Sequence, residues 1–265
     1  MSTIHNSPGT DYAYLRGGPA FSWGVIALPG YEIVRARFSR LLPLHEGFDA
    51  IAAHLRQRKR PLTALCAAEL RSPQPFTLGG FGHFNAQYVD VLRRWGLVHD
   101  ERIPVARSNV CPLYDPPEQP SFHAFCYTAP IGAAHAGLLT TSDHAPDAPA
   151  PRSFVVSGFA EWLEGTPFPD GIVAWGDTSP DGLAQKVDFV LDGLEHNTAA
   201  LGARWQALTA VQIYTPHEFG ALVHDHFAPR GLARLGLEWH VCRPPIDGLE
   251  FEIDVRGVRR ELVVD

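Results

Sequence analysis

One arginine in this sequence lies inside a short apolar run that contains a proline near each end. The run covers residues 103–112, and Arg107 lies at its centre. Val105, Ala106 and Val110 favour a β-strand, and proline is tolerated at strand ends rather than in central positions. Because a guanidinium keeps its charge, Arg107 must reach water, a partner carboxylate or a bound anion. The simplest interpretation is a solvated or structurally paired arginine, and the chemical interpretation is an anion-binding site.

A second group with chemical potential is the acidic stretch 249–255 near the end of the chain. Glu252 lies between two apolar residues, so it points to the opposite face of a predicted strand. As a general base or a water-orienting group it would contribute on the order of a hundredfold or more in rate. The plainer interpretation is that Glu250, Glu252 and Asp254 form the solvated face of an edge strand.

Three further patterns carry weaker chemical signals. Residues 224–226 read His-Asp-His, but consecutive positions on a predicted helix do not converge on one metal ion. The glycine-rich stretch 79–82 lacks the preceding strand and the later glycine of a nucleotide-binding turn, which favours a flexible loop. Glu69 and Arg71, at the end of a predicted strand, either share a cleft with Arg107 or form a local ion pair.

The composition limits the class of protein. The chain has 265 residues, of which 45% are hydrophobic and 19% charged, which is typical of a soluble globular protein with one large or two ordinary domains. A net charge of −7 argues against nucleic acid or an anionic membrane as the main partner, and no apolar run approaches the roughly 20 residues of a membrane helix. Four scattered cysteines, without a C-x-x-C pair or a secretory segment, predict reduced thiols and a cytoplasmic location.

The spacing of apolar residues predicts the elements that position these candidates. The first ten residues are polar and are expected to be loose. Beyond them, alternation and helical spacing predict a strand at 31–38, a helix at 48–55, a strand at 62–70, a helix at 84–95, and strands at 103–112 and 121–127.

After a stretch rich in Ala, Pro, Asp and Gly, the order of elements repeats. The predicted elements are strands at 154–156 and 172–175, a helix at 183–201 with Ser179 as N-cap and Gly202 as stop, a strand at 207–214, a helix from 215 to 227, and strands at 237–241 and 249–255. We therefore expect an α/β (α+β) protein of two tandem units, 1–130 and 153–265, joined by a linker at 131–152. Each unit is expected to be a mixed sheet packed against two helices.

The second half resembles the Rid (YjgF) family of reactive-intermediate imine deaminases. The resemblance covers about residues 150–260 and rests on the sequence FVVSG at 154–158, the glutamine-led helix 185–201, the strand 211–214 and the stretch 244–254. The first half is a more degenerate match, through FNAQY at 84–88 and ARSNV at 106–110. The resemblance implies chorismate-mutase-like units, assembled as a homotrimer with active sites in clefts between subunits.

Carried over by position, the resemblance assigns the family's carboxylate-binding arginine to Arg107 and its water-orienting glutamate to Glu252. The second half lacks an arginine at 235–237, and the first half places His123 near the glutamate position, so the halves are expected to divide the labour. The candidate substrate-binding residues are those beside the arginine, those matching cleft-lining positions and the charged pair on the preceding strand: Ser108, Asn109, Cys111, Ser157, Gly158, Arg71 and Glu69.

The expected activity is hydrolysis of an imine or enamine of a small carboxylate, 2-aminoacrylate-like or 2-aminomuconate-like, to the keto acid and ammonia. A guanidinium holds a carboxylate through two hydrogen bonds and so positions the adjoining C=N carbon for attack by water. No metal or other cofactor is expected, and the partner is a small carboxylate. Two alternatives remain open: a chorismatase-like hydrolase of an enol-pyruvyl ether, and a non-catalytic protein that binds a small carboxylate.

Overall fold

The computed structural model describes residues 3–132, 152–163 and 165–265, so most of the predicted linker 131–152 lies outside the described residues. The α-helices of the described part are α1 (Leu44–Gln57), α2 (Leu78–Arg94) and α3 (Pro180–Ala200). The strands are β1 (Ile4–Asn6), β2 (Tyr12–Leu15), β3 (Gly24–Ala27), β4 (Tyr31–Pro43), β5 (Leu65–Arg71), β6 (Ala106–Pro112), β7 (Ser121–Pro130), β8 (Phe154–Ala160), β9 (Ala210–Tyr214), β10 (Glu238–His240), β11 (Cys242–Arg243), β12 (Glu252–Gly257) and β13 (Arg260–Val264).

Two sheets face each other, and helices cover their outer faces. The six-stranded sheet has the order β11-β6-β5-β7-β4-β13, and the seven-stranded sheet has the order β1-β2-β3-β8-β12-β9-β10. The apolar stripes of α1 and α2 pack on the first sheet, where the Phe48 ring lies 4.9 Å from Phe122 and 5.8 Å from Tyr88. The stripe of α3 packs on the second sheet. The predicted α/β class is therefore confirmed.

The sheets exchange strands at the two ends of the chain. Strands β1–β3 join the seven-stranded sheet through the antiparallel pair β3–β8, and β13 joins the six-stranded sheet in parallel with β4. The prediction that the first ten residues are loose is wrong, because Ile4–Asn6 pairs with β2 as an edge strand. A three-residue strand has too little alternation to be recognised without its partner.

Helix α3 begins and ends where its capping residues predict. The Ser179 hydroxyl accepts the Gly182 N–H at 3.2 Å, Pro180 is the first helical residue, and Gly202 follows the helix at φ +71°. A Ser cap, an N1 proline and a left-handed glycine are strong end signals, and here they agree with the apolar spacing.

Three other predictions of secondary structure are wrong. Residues 79–82 are not a flexible loop but part of the first turns of α2, capped by the Thr77 hydroxyl on the Gly80 N–H. Residues 172–175 form turns with a single bridge between Ile172 and Trp162 instead of a strand. The helix expected from 215 to 227 is reduced to a 3-10 turn at Gly220–Leu222 and a π-turn at Val223–Phe227. Glycine content and short apolar runs misled the prediction, because tertiary contacts can override local propensity.

No helix of the described part of the chain has the length and apolar character needed to cross a membrane.

Candidate active site

A cavity of about 350 Å³ is lined by residues of both sheets. Strand β6 of the six-stranded sheet, strands β8 and β12 of the seven-stranded sheet, the beginning of α2 and three connecting segments form its wall. Most of the wall is apolar, with the aromatic side chains Phe21, Trp23, Phe81, Phe159 and Trp162. Among the described residues that line it, Arg107 and Glu252 are the charged types. The fold thus brings together the two residues that come from different halves of the sequence.

Arg107 is a buried cation in an aromatic cage. Its residue is 4% exposed, and its guanidinium carbon lies 5.1 to 5.6 Å from the ring centroids of Phe21, Phe81, Phe84 and Tyr88. Burial lowers the pKa of Arg107 to about 10, so it remains charged at neutral pH. Its Nη1 has no hydrogen-bond partner among the described residues. A buried cation without a paired anion is costly, and a bound carboxylate would relieve this cost.

The strand that carries Arg107 is fixed through its backbone. The Arg107 N–H donates to Ser157 Oγ at 2.9 Å, and the Ser157 hydroxyl donates to the Ser22 carbonyl at 2.6 Å. Ser157, predicted to bind substrate, therefore links β6 to β8 and to the N-terminal segment, and it does not line the cavity.

Glu252 lies at the start of β12, opposite Ala160 of β8. Burial, with the nearby carboxylates of Asp254 and Glu161, raises the pKa of Glu252 well above its ordinary value, and the residue is 4% exposed. This shift favours the protonated form of Glu252, which can donate a proton. A Cβ on Gly158 would overlap Glu252 Oε1, so glycine is needed there to leave room for the carboxyl group.

Three uncharged side chains in the cavity wall also carry polar atoms without a partner. Asn109 Oδ1 accepts the Ser72 hydroxyl at 2.9 Å, but Asn109 Nδ2 is buried and unpaired among the described residues. The same holds for Asn85 Oδ1 and for Trp162 Nε1. Because buried polar atoms are nearly always paired in folded proteins, we expect these atoms to contact a ligand.

The other predicted substrate-binding residues lie outside the cavity wall. Glu69 accepts two hydrogen bonds from Arg35, at 2.5 and 2.7 Å, in the layer between the sheets. Arg71 lies in the same layer with its guanidinium 5.4 Å from the Tyr214 ring. Cys111 is a buried thiol whose pKa is raised by burial.

Ser108 faces the same layer and supports β12 from behind. Its hydroxyl donates to Asp254 Oδ2 at 2.5 Å, and Tyr214 OH donates to the same oxygen at 2.8 Å. Alternation along β6 explains the separation, because Arg107 and Asn109 point to the cavity whereas Ser108 points to the opposite face.

A fully buried ion pair, which the sequence analysis missed, fixes the backbone segment directly before β12. Lys186 Nζ lies 3.4 Å from Glu161 Oε1, and both side chains are 0% exposed. The Glu161 carboxylate accepts the backbone N–H groups of Glu250 at 2.6 Å and Phe251 at 3.1 Å, directly before Glu252. The available signal was a lysine beside the apolar stripe of α3, since lysine is almost never fully buried without a partner.

The aromatic cage was also missed, although its residues recur at helical spacing along α2. Phe81, Phe84 and Tyr88 follow the i, i+3, i+7 pattern that usually indicates core packing. They do pack, but their ring faces also surround the guanidinium.

The histidines at 224–226 do not form a metal centre. His224 contacts its neighbour Asp225, and His226 contacts Asp188 of α3. Within the described ranges, no group of three or more His, Cys, Asp and Glu side chains is arranged to hold a metal ion.

Comparisons with known proteins identify the family of this chain. A family model described as 2-aminomuconate deaminase CnbZ matches residues 4–262. The 2-amino-5-chloromuconate deaminase of Comamonas testosteroni is 45% identical over 259 residues, which are 97% of this chain and 97% of that protein. Among solved structures, a chorismatase is 12% identical with a TM-score of 0.36, covering 96% of this chain and 78% of its own. The YjgF gene product from E. coli is 13% identical with a TM-score of 0.27, covering 46% and 92%. Because the family model spans nearly the whole chain and the Comamonas relative matches it from end to end, this chain belongs to the CnbZ family of 2-aminomuconate deaminases.

Proposed function

We propose that this protein removes the amino group of 2-aminomuconate or a close derivative by hydrolysis of its carbon–nitrogen bond, releasing ammonia and a 2-oxo dicarboxylate. The observation that carries the proposal is the buried Arg107 guanidinium, whose Nη1 has no hydrogen-bond partner among the described residues, in an aromatic cavity that also holds Glu252. A planar, conjugated chain suits the aromatic walls, and a carboxylate suits the cation. Family membership supports the same class of substrate.

Arg107 binds the carboxylate next to the amino-bearing carbon in this proposal. Asn109 lies two residues further along the same face of β6, and its free Nδ2 donates to the same end of the substrate. The unpaired Asn85 Oδ1 accepts from the amino group. These contacts fix the reacting carbon relative to Glu252, which replaces a random encounter by a positioned reaction.

Glu252 supplies and recovers the proton. Its carboxyl group protonates the enamine chain, which turns the carbon–nitrogen bond into a C=N bond. Water then forms a C–O bond to that carbon, and the Glu252 carboxylate takes the proton that the water loses. The hydroxyl proton passes to nitrogen as the C–N bond breaks, so one water enters, one ammonia leaves and Glu252 is protonated again.

We also propose that residues 1–130 and 153–265 are two tandem Rid-like units joined by the linker 131–152, and that the protein is a cytoplasmic homotrimer. Each half supplies the central strands of one sheet, which supports the tandem arrangement. The four cysteines are free and buried, which is compatible with a reducing compartment. Sedimentation analysis of the full chain tests the trimer.

The decisive experiment measures ammonia release from 2-aminomuconate. We expect Arg107→Gln to lower kcat/KM by about a hundredfold or more, because the variant loses the charge that holds the carboxylate. Arg40→Gln, at an arginine whose side chain is 72% exposed, is the control and should keep full activity. Full activity in Arg107→Gln, or a wild type that releases pyruvate from chorismate and no ammonia, would contradict the proposal.

A further inference from the structure

The indole N–H of Trp162 is a buried donor that nothing in the described part of the chain uses. Its nitrogen is buried, and the side chain lines the cavity. Two other tryptophans pair theirs: Trp205 donates to the Arg230 carbonyl and Trp239 to the Thr215 carbonyl, each at 3.0 Å. A buried indole N–H usually finds a partner, so the Trp162 donor is available to a ligand.

Trp162 lines the same cavity as Arg107 but is not one of the four rings recorded around the guanidinium. Its ring packs edge-on against Phe168, with centroids 5.7 Å apart, in the apolar cluster of Ile172, Ile246 and Leu249. Among the rings that surround Arg107, Phe81 is the one that also packs on this cluster. Glu252 also lines the cavity, and its strand partner Ala160 is two residues before Trp162.

The chemistry of Arg107 and Trp162 differs. Arg107 offers a positive charge, whereas Trp162 offers a neutral N–H donor that is surrounded by apolar residues. A dicarboxylate placed with one carboxylate on Arg107 and its chain past Glu252 brings its second carboxylate to the indole. We infer that Trp162 Nε1 binds the far carboxylate of the substrate and so selects dienedioates over monocarboxylic enamines. This inference rests on the proposed function and names the residue that binds the second carboxylate of the substrate.

The test compares two stable six-carbon dienes, muconate and 2,4-hexadienoate, which differ by the second carboxylate. Calorimetric titration of the wild type and of Trp162→Phe gives four affinities, and the phenyl ring keeps the packing on Phe168. We expect Trp162→Phe to weaken muconate binding about tenfold or more, as for a lost hydrogen bond to a charged group. We expect hexadienoate to weaken less than about threefold, since it loses only ring contacts.

Trp205→Phe is the matched control, because it removes an indole N–H that already has a partner. We expect Trp205→Phe to lower the urea midpoint and to leave the muconate-to-hexadienoate affinity ratio unchanged. We expect Trp162→Phe to leave the urea midpoint unchanged, because its N–H is unpaired in the free protein, and to lower the muconate-to-hexadienoate affinity ratio. The monomethyl ester of muconate on the wild type removes the second charge without any mutation, and it should bind about as weakly as hexadienoate.

Equal weakening of both dienes by Trp162→Phe, or equal affinity of the wild type for both, would overturn the inference. A wild type that prefers muconate through Trp162 but releases no ammonia from 2-aminomuconate would overturn the proposed function and leave this inference intact. If the wild type releases ammonia from 2-aminomuconate but Trp162→Phe has the same muconate-to-hexadienoate affinity ratio as the wild type, the proposed function would stand and this inference would be overturned.

Discussion

Arg107 and Glu252 share a cavity, yet they do not neutralise each other as an ion pair. Burial and the carboxylates of Asp254 and Glu161 favour the protonated form of Glu252. The protonated form of Glu252 does not compensate the guanidinium, so in that form the positive charge of Arg107 is available to an incoming carboxylate. If Glu252 were ionised, it would pair with Arg107 and compete with the substrate. The same burial therefore prepares both the anion site and the proton donor.

Gly158→Ala tests how closely the Glu252 carboxyl group must be placed. The added methyl group would overlap Glu252 Oε1 and force the carboxyl group to move. We expect kcat for 2-aminomuconate to fall about tenfold or more, because proton transfer needs hydrogen-bond contact, while muconate still binds through Arg107. Steady-state kinetics together with calorimetric titration of muconate separates the two effects.

Gly79→Ala is the control for that variant, because a Cβ on this helical glycine would meet nothing within 4 Å. It should keep kcat and raise stability by about 0.5–1 kcal/mol, as expected for Gly to Ala in a helix. Unchanged kcat in Gly158→Ala would show that the position of the Glu252 carboxyl group does not matter.

At the scale of elements, the first turns of α2 carry much of the cavity wall, with Leu78, Phe81 and Gly82. These turns contain three glycines, so they depend on the Thr77 cap more than an alanine-rich turn would. We expect Thr77→Ala to lower the free energy of unfolding by about 1 kcal/mol and to weaken muconate binding severalfold, because the wall frays. Urea unfolding and calorimetric titration measure the two effects.

Ser179→Ala removes the equivalent cap of α3, a helix that contributes no residue to the described cavity wall. It should cost about the same stability and leave muconate affinity unchanged. If both variants lost affinity equally, global destabilisation rather than fraying of α2 would be the cause. Thr77→Ser should behave as the wild type, since a serine hydroxyl can accept the same N–H.

The elements that could be predicted are those whose own residues decide them. Helix α3 carries a cap, a stop and an apolar stripe in one segment, and strand β6 lies in a short run of β-favouring residues with a proline near each end. The start of α2 was misjudged because its glycines favour a loop, and only packing of Phe81 and Phe84 on Phe76 makes it helical. Strands β1–β3 were missed because each has only three or four residues, and β3 joins the sheet through β8, which lies far away along the chain.

At the scale of the whole molecule, the site exists because the two halves meet. Arg107 and Glu252 were identified from the sequence through a resemblance, but no spacing in the sequence places them in one cavity. Phe21 and Trp162 come from segments without regular secondary structure and escaped prediction for that reason. The strand exchange through β3 and β13 joins the halves, so the N-terminal segment can carry Phe21 to the guanidinium.

The dependence of stability on pH belongs to this scale, because three buried carboxyl groups contribute to it. Burial is the first cause that raises the pKa of Glu161, Glu252 and Asp254 above their ordinary values. Between the ordinary and the raised pKa, the folded protein holds protons that the unfolded chain has released, so stability falls as pH rises. His123 and His240, whose pKa values are lowered to about 3 and 4 by burial, act in the opposite sense, because the unfolded chain takes up protons at these side chains as pH falls through about 6.5.

We therefore expect each of these carboxyl groups to make the free energy of unfolding decline as pH rises between its ordinary and its raised pKa. The comparison is made from pH 6.5 to pH 8, a window below the ordinary pKa of the buried thiols. Each carboxyl group that stays protonated adds up to about 1.4 kcal/mol per pH unit to this slope. Glu252→Gln removes one such group, so its slope should be shallower by up to about that amount, whereas Glu118→Gln, at an exposed position, should follow the wild type. Urea unfolding at pH 6.5, 7.25 and 8 measures the slopes. A Glu252→Gln slope equal to that of the wild type would mean that Glu252 is already ionised in the folded protein, and that water attack would need a different proton donor.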